Sequence, residues 1–133
     1  MKGNPKTMQD NPVYADVVAE VNSQLVQRGN EAKSAGINEI IIDPGIGFGK
    51  TIEHNIALLR SIPRLKLHGY PVLIGLSRKS FIGKILDVAV GERDTPTAML
   101  EMYASLQGAD IIRTHNCTNA MHLKKLFTRL QND

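Results

Sequence analysis

Apolar residues along this chain alternate between two rhythms, one helical and one continuous. From Val13, the positions Tyr14, Val17, Val18, Val21 and Leu25 recur at helical spacing, and the pattern runs on through Ala32 and Ala35 to Gly36, a glycine C-terminal cap. Gly29 falls inside this helix and is expected to weaken or break it, at about 1 kcal/mol relative to alanine. Ile40, Ile41 and Ile42 form an unbroken β-branched run, which predicts a short buried strand. Residues 54–62 put Leu58, Leu59 and Ile62 on one helical face, and Pro63 stops or kinks that helix. Gly69 and Pro71 mark a turn into a second strand over residues 72–76. Phe81, Ile82, Ile85 and Leu86 then predict a short amphipathic helix followed by a polar loop over residues 91–94. Thr95 and Pro96 read as N-cap and first turn of a helix through Met99, Met102, Tyr103 and Leu106 to Gly108. Ile111 and Ile112 make a third short strand, and Thr118 caps a last helix striped by Leu123, Leu126, Phe127 and Leu130. Only residues 1–12, with Gly3, Asn4, Pro5, Asn11 and Pro12, lack either rhythm and predict a loop.

Strand, polar loop and helix therefore recur three times, and Asp43, Arg78 and Arg113, each just beyond a strand, are spaced 35 residues apart. Continuous apolar strands alternating with helices indicate an α/β fold with parallel strands covered on both faces. Ligands of such folds bind at the carboxyl ends of the strands, in an open sheet or a closed barrel alike. All three strand ends carry chemistry here: a carboxylate, the Ser77-Arg78-Lys79-Ser80 cluster, and the Arg113-Thr114-His115 group. One shared site is the expectation. Three parallel strands after a helix are too few for a closed barrel and leave two unpaired edges, so the chain is expected to be part of something longer or to assemble with another copy.

A length of 133 residues with 42% hydrophobic content suits one globular domain. The net charge of +3 comes from 16 basic and 13 acidic residues that are interspersed, which gives little support to nucleic-acid binding. No apolar stretch is long enough to span a membrane and no secretory pattern opens the chain, so a cytoplasmic location without membrane partners is expected. Cys117 is the lone cysteine and is expected as a small buried apolar residue.

The stretch IIIDPGIGFGK, residues 40–50, has the composition of a ligand loop. Gly45, Gly47 and Gly49 let backbone amides approach a flat ligand, Phe48 adds an aromatic surface and Lys50 a cation. The dinucleotide fingerprint fails because Lys50 stands where it needs glycine. The phosphate-loop pattern ends correctly in Gly49-Lys50-Thr51 but has Pro44 in place of its first glycine, leaving nucleotide binding as the runner-up. Asp43 suits a heterocycle that presents two parallel donors, Arg113 and His115 suit a shared anion such as a diphosphate, and Lys79 suits a carbonyl or anion above the same face.

In order and spacing, MKGNPKTMQ, DPGIGFGK, SRKSFIG and RTHN resemble the C-terminal half of the dihydropteroate synthases, TIM-barrel enzymes of folate synthesis. The resemblance covers essentially the whole chain, residues 1–133, as the C-terminal part of a pterin-binding barrel. It implies a transferase that joins p-aminobenzoate to a dihydropterin by displacing diphosphate. Asp43 and Lys79 are then expected to bind the pterin, Ser80 with Gly47 and Phe48 to hold p-aminobenzoate, and Arg113 and His115 to hold the leaving diphosphate, with Arg113 also packed on the pterin. Catalytic roles fall to Arg113, His115 and Lys79. The resemblance further implies magnesium bound by residues this chain does not contain, a homodimer formed through the helices after the last strands, and no activity of this chain alone. Asn116 stands where many relatives have aspartate.

Overall fold

The computed structural model describes residues 13–131, so the loop expected over residues 1–12 lies outside the described residues. The first helix, α1 (Val17–Ser34), begins later than the apolar pattern because Asp16 caps it, accepting from the amides of Val18 and Ala19 at 2.9 and 3.0 Å. Gly29 does not break it. A Cβ there would lie 2.9 Å from the ring of Tyr70, whose hydroxyl donates to Asn30, so the glycine admits an aromatic ring against the helix backbone. Gly36 closes the helix as expected, with φ +88°.

Thr51 caps α2 (Ile52–Arg60), and the chain turns at Ser61 into α3 (Ile62–Lys66), where Pro63 occupies the first turn. Pro63 thus opens a helix as well as ending the pattern before it, since an early helical position needs no N–H. The strand β1 (Leu73–Gly75) leads into α4 (Ser80–Leu86), a 3-10 turn (Val90–Glu92) and α5 (Asp94–Leu106). The polar loop expected at residues 91–94 is therefore partly helical. Thr95 is inside α5, not its cap: the amide of Thr97 bonds the carbonyl of Arg93 at 2.9 Å and starts the helix earlier. After β2 (Ile111–Arg113), α6 (Cys117–Gln131) is capped by Asn116, whose Oδ1 accepts from the amide of Asn119 at 3.0 Å, and not by Thr118. Cys117 is exposed on the first turn of α6, contrary to the expected burial.

Strands β1 and β2 pair in parallel, with Leu73 opposite Ile111, Ile74 opposite Ile112 and Gly75 opposite Arg113. The predicted first strand contributes a single parallel bridge, Ile42 to Val72, in which the amide of Ile42 bonds Pro71 and the amide of Leu73 bonds Ile42. Ile41 is exposed, so the run is not buried on both faces as its composition suggested. The three parallel segments stand in the order Ile42, β1, β2, and the core gathers on the middle one: Val72, Ile74 and Leu76 are fully buried among Ile42, Leu58, Ile62, Phe81 and Ile82. At the amino ends of the strands, Asp110 accepts from Lys66 and from the amide of Val72, a clamp on the side away from the site. No helix among the described residues is long and apolar enough to cross a membrane.

Candidate functional site

Register decides what meets at the carboxyl ends. Asp43 follows the bridge at Ile42, while Gly75 and Arg113 are partners at the ends of β1 and β2, which makes a row of carboxylate, gap and guanidinium. A Cβ on Gly75 would lie 2.9 Å from Arg113 Nη2; without one, the guanidinium reaches across to Asp43. Arg113 Nη2 donates to Asp43 Oδ2 at 3.1 Å, and the amide of Gly45 donates to Oδ1 at 2.8 Å. Both carboxylate oxygens are engaged, one by a rigid backbone donor and one by a mobile side chain.

The glycine loop is built on a buried cation. Lys50 is 7% exposed, and its Nζ donates to the carbonyls of Gly45 and Phe48, each at 3.0 Å. Burial holds its pKa below the usual lysine value, with the nearby charge of Asp43 opposing that shift. Asn55, 1% exposed, accepts from the amide of Gly47 at 2.7 Å and donates to the carbonyl of Thr51. The amides of Gly45 and Gly47 and the Lys50 ammonium are thus all turned inward, and Thr51 caps α2. A phosphate loop needs those same groups turned outward, so the nucleotide-binding alternative does not stand.

Above this loop lies Lys79. Its Nζ is 3.8 Å from the centroid of the Phe48 ring, and its Cδ would be 2.9 Å from a Cβ on Gly47, a residue with φ +82°. Burial and the charge of Arg113 lower the pKa of Lys79, and Asp43 works against them. Lys50, Lys79 and Arg113 therefore surround the single carboxylate of Asp43, a cationic arrangement suited to an anion.

Beyond β2, His115 has a partner of its own. His115 Nδ1 lies 2.9 Å from Ser77 Oγ, which also accepts from the amide of His115 at 3.1 Å. Ser80 is the exposed first residue of α4. The expected site role of Arg78 fails: its guanidinium donates to both oxygens of Asp94, at 2.6 and 2.9 Å, so of the three residues at 35-residue spacing only Asp43 and Arg113 meet. Asp94 also accepts from Asn116 Nδ2 at 3.0 Å; an aspartate at 116 would set two carboxylates against each other, whereas the amide satisfies both its neighbours.

Sequence reasoning did not assign Gly75, Asn55, Ser77 or Asp94. Ser77 belonged to a recognised cluster; Gly75 pairs with Arg113 at an offset of 38 residues that the 35-residue spacing does not give, Asn55 bonds a loop whose path the sequence does not fix, and the bonds of Asp94 to Arg78 and Asn116 are distant in sequence. Among the described residues, no three His, Cys, Asp or Glu side chains converge to hold a metal ion. Magnesium does not fit the acidic group present, because both Asp43 oxygens are engaged and the surroundings are cationic.

Comparison with known proteins follows the same lines. The family described as pterin binding enzyme matches residues 1–115. Dihydropteroate synthase of Escherichia coli (strain K12) is 43% identical over 118 residues, covering 87% of this chain and 42% of that protein. The Haemophilus influenzae dihydropteroate synthase is 42% identical over 134 residues, covering 99% of this chain and 49% of that protein. The chain thus spans about half the length of these relatives, or less. The crystal structure of Thermus thermophilus dihydropteroate synthase with 4-aminobenzoate superposes with a TM-score of 0.90 at 37% identity, over 97% of this chain and 53% of that one. The same enzyme in complex with 6HMPPP superposes with a TM-score of 0.90 at 37% identity, over 97% of this chain and 52% of that one. The architecture here is accordingly part of a TIM barrel, three parallel segments and their helices.

Proposed function

The chain belongs to the pterin-binding enzyme family, and from that premise we propose that it carries the pterin and diphosphate half of a dihydropteroate synthase site. The observation that carries the reading is the row of strand ends, in which Arg113 crosses Gly75 to meet Asp43 beside Lys79. On binding, the donor-rich edge of the pterin takes Asp43 from Arg113, and the freed guanidinium turns to the diphosphate together with His115. Lys79, held over Phe48, faces the pterin carbonyl. Ser80, Gly47 and Phe48 face p-aminobenzoate. The solved complexes of the Thermus thermophilus enzyme with 4-aminobenzoate and 6HMPPP support this choice of ligands.

The aniline nitrogen of p-aminobenzoate attacks the pterin methylene carbon directly. A C–N bond forms as the C–O bond breaks, the electron pair leaves with the diphosphate, and the aniline proton passes to solvent. No enzyme nucleophile is needed. The contribution of this chain is to orient the pterin at Asp43 and Lys79 and to stabilise the charge that develops on the leaving group at Arg113 and His115. Magnesium is proposed as the cofactor, held by residues outside this chain and supplying further charge neutralisation on the diphosphate. For that reason the 133-residue chain binds ligand but does not turn over alone. A homodimer and a cytoplasmic location complete the proposal.

Calorimetric titration of the chain with a pterin diphosphate analogue and magnesium tests it, with Asp43→Ala as control. Heat that disappears in the variant is the expected result. Absence of binding to the folded wild-type chain overturns the half-site, and steady turnover by the chain alone overturns its inactivity.

A further inference from the structure

Arg78 is a non-glycine residue with φ +55°, a conformation that persists only where its surroundings impose it. The start of α5 does so from every side. Thr97 Oγ1 accepts from its amide at 3.2 Å, Arg93 Nη1 donates to its carbonyl at 3.2 Å, and Asp94 takes its guanidinium with two bonds. Asp94 then reaches the other strand end through Asn116 Nδ2. Since Asn116 follows His115, and His115 returns to Ser77 beside Arg78, the hydrogen bonds close a ring: Ser77, Arg78, Asp94, Asn116, His115. Arg78 precedes Lys79 in the chain, so both Lys79 and His115 are flanked by members of this ring.

We infer that Asp94 is the positioning residue of the site, which fixes the β1 and β2 loops to the first turn of α5 and thereby sets Lys79 and His115 relative to each other. Asp94 acts through Arg78 and Asn116, its two hydrogen-bond partners, and is given no contact with substrate in the proposed function. Two bonds to Arg78 and one to Asn116 give a single carboxylate control over two loops, which the bonds of His115 to Ser77 also join. Arg78 and Asn116 depress Asp94 to about 2, so the carboxylate stays charged across the physiological range. The functional consequence rests on the reading above, that Lys79 and His115 serve an anion.

The test compares Asp94→Ala with Lys66→Ala, which breaks an ion pair at the opposite ends of the strands. Two readouts are taken on the full 133-residue chain: the NMR signals of the His115 ring and the Lys79 amide without ligand, and affinity for inorganic diphosphate. The expected result is that Asp94→Ala moves both sets of signals and weakens diphosphate about tenfold, while Lys66→Ala does neither. Unmoved signals in Asp94→Ala, or signals moved equally by Lys66→Ala, overturn the inference. If the wild type binds no diphosphate, the diphosphate reading fails, but the ligand-free signals still decide whether Asp94 positions the two residues. Asp94→Asn, similar in shape but uncharged, is read in the same way should the alanine variant not fold.

Discussion

Arg113 and Asp43 lie 70 residues apart in the chain, yet Arg113 Nη2 is 3.1 Å from Asp43 Oδ2 across the end of β1. The Arg113 side chain is 59% exposed and that of Asp43 30%. An ion pair so open to water adds about 0–1 kcal/mol to stability. Its value is therefore positional: it keeps two opposite charges at the strand ends on either side of β1, and in the proposed function they are exchanged for a ligand that brings donors to one and an anion to the other.

Arg113→Ala is accordingly expected to leave stability within about 1 kcal/mol of wild type while weakening inorganic diphosphate about tenfold or more. Thermal denaturation and calorimetric titration separate the two effects. Loss of stability without loss of affinity would make Arg113 a structural residue.

The alternation of strand and helix was legible most directly at the middle strand, where Val72, Ile74 and Leu76 are fully buried, whereas the apolar stripe that marked α5 is largely exposed, with Met99 and Leu106 open to water and Thr97, Glu101, Ala104 and Ser105 on the buried face. Residues 40–42 misled for the same reason: three isoleucines imply burial, but Ile41 is exposed and only Ile42 pairs. At the site, the chemistry near each strand end was legible, but its register and orientation were not, since Arg113 ends β2 opposite Gly75, and Arg78 lies three residues further on. Arg78 shares the spacing of Asp43 and Arg113 but is turned by its positive φ toward Asp94, a bond set by tertiary packing that spacing cannot encode. Lys50 matched a phosphate-loop lysine in sequence, and only its bonds to Gly45 and Phe48 identify it as the core of the loop.

Two glycine substitutions distinguish floor from frame. At Gly47 the φ of +82° strains any L side chain, and the new Cβ would meet Lys79 Cδ at 2.9 Å, so Gly47→Ala is expected to cost about 1–2 kcal/mol and to displace Lys79 from Phe48. Gly75 has no such φ, and the three atoms nearest its Cβ would all belong to the guanidinium of Arg113, the far end of a flexible side chain. Gly75→Ala is expected to keep the melting temperature near that of wild type and to weaken diphosphate. Equal melting temperatures for the two variants would refute the distinction.

Opposite pH responses are expected from two carboxyl groups at α5. Burial raises the pKa of Glu101, which is 1% exposed, against the hydrogen bond from Thr114. A raised carboxyl favours the protonated form in the fold, so stability falls as pH climbs from the ordinary value of 4.5 through the raised folded value. Asp94 is depressed from 3.8 to about 2, so its contribution is present above 3.8 and is lost as pH falls toward 2. Glu101→Gln should flatten the upper limb of the stability curve and leave the acid limb in place. Denaturant midpoints across pH check this, and an unchanged upper limb would remove Glu101 from the account.

The outer faces of α5 and α6 carry Met99 at 66%, Leu126 at 60% and Leu130 at 71% exposure, large apolar side chains presented to water on neighbouring helices. Such a face favours pairing through a self-complementary surface, and the proposed homodimer uses it. Leu126 is ten positions beyond Asn116, or about 15 Å along a helix, so the face is well separated from the strand ends. Light scattering is therefore expected to give twice the 14.6 kDa mass of the chain, and Leu126→Glu to restore the single-chain mass. Because Leu126 is already open in one chain, the charge disturbs no core, and diphosphate affinity should be unchanged in the variant. A dimer that survives Leu126→Glu would move the interface elsewhere. A wild-type mass of one chain would end the proposal of a homodimer through these helices.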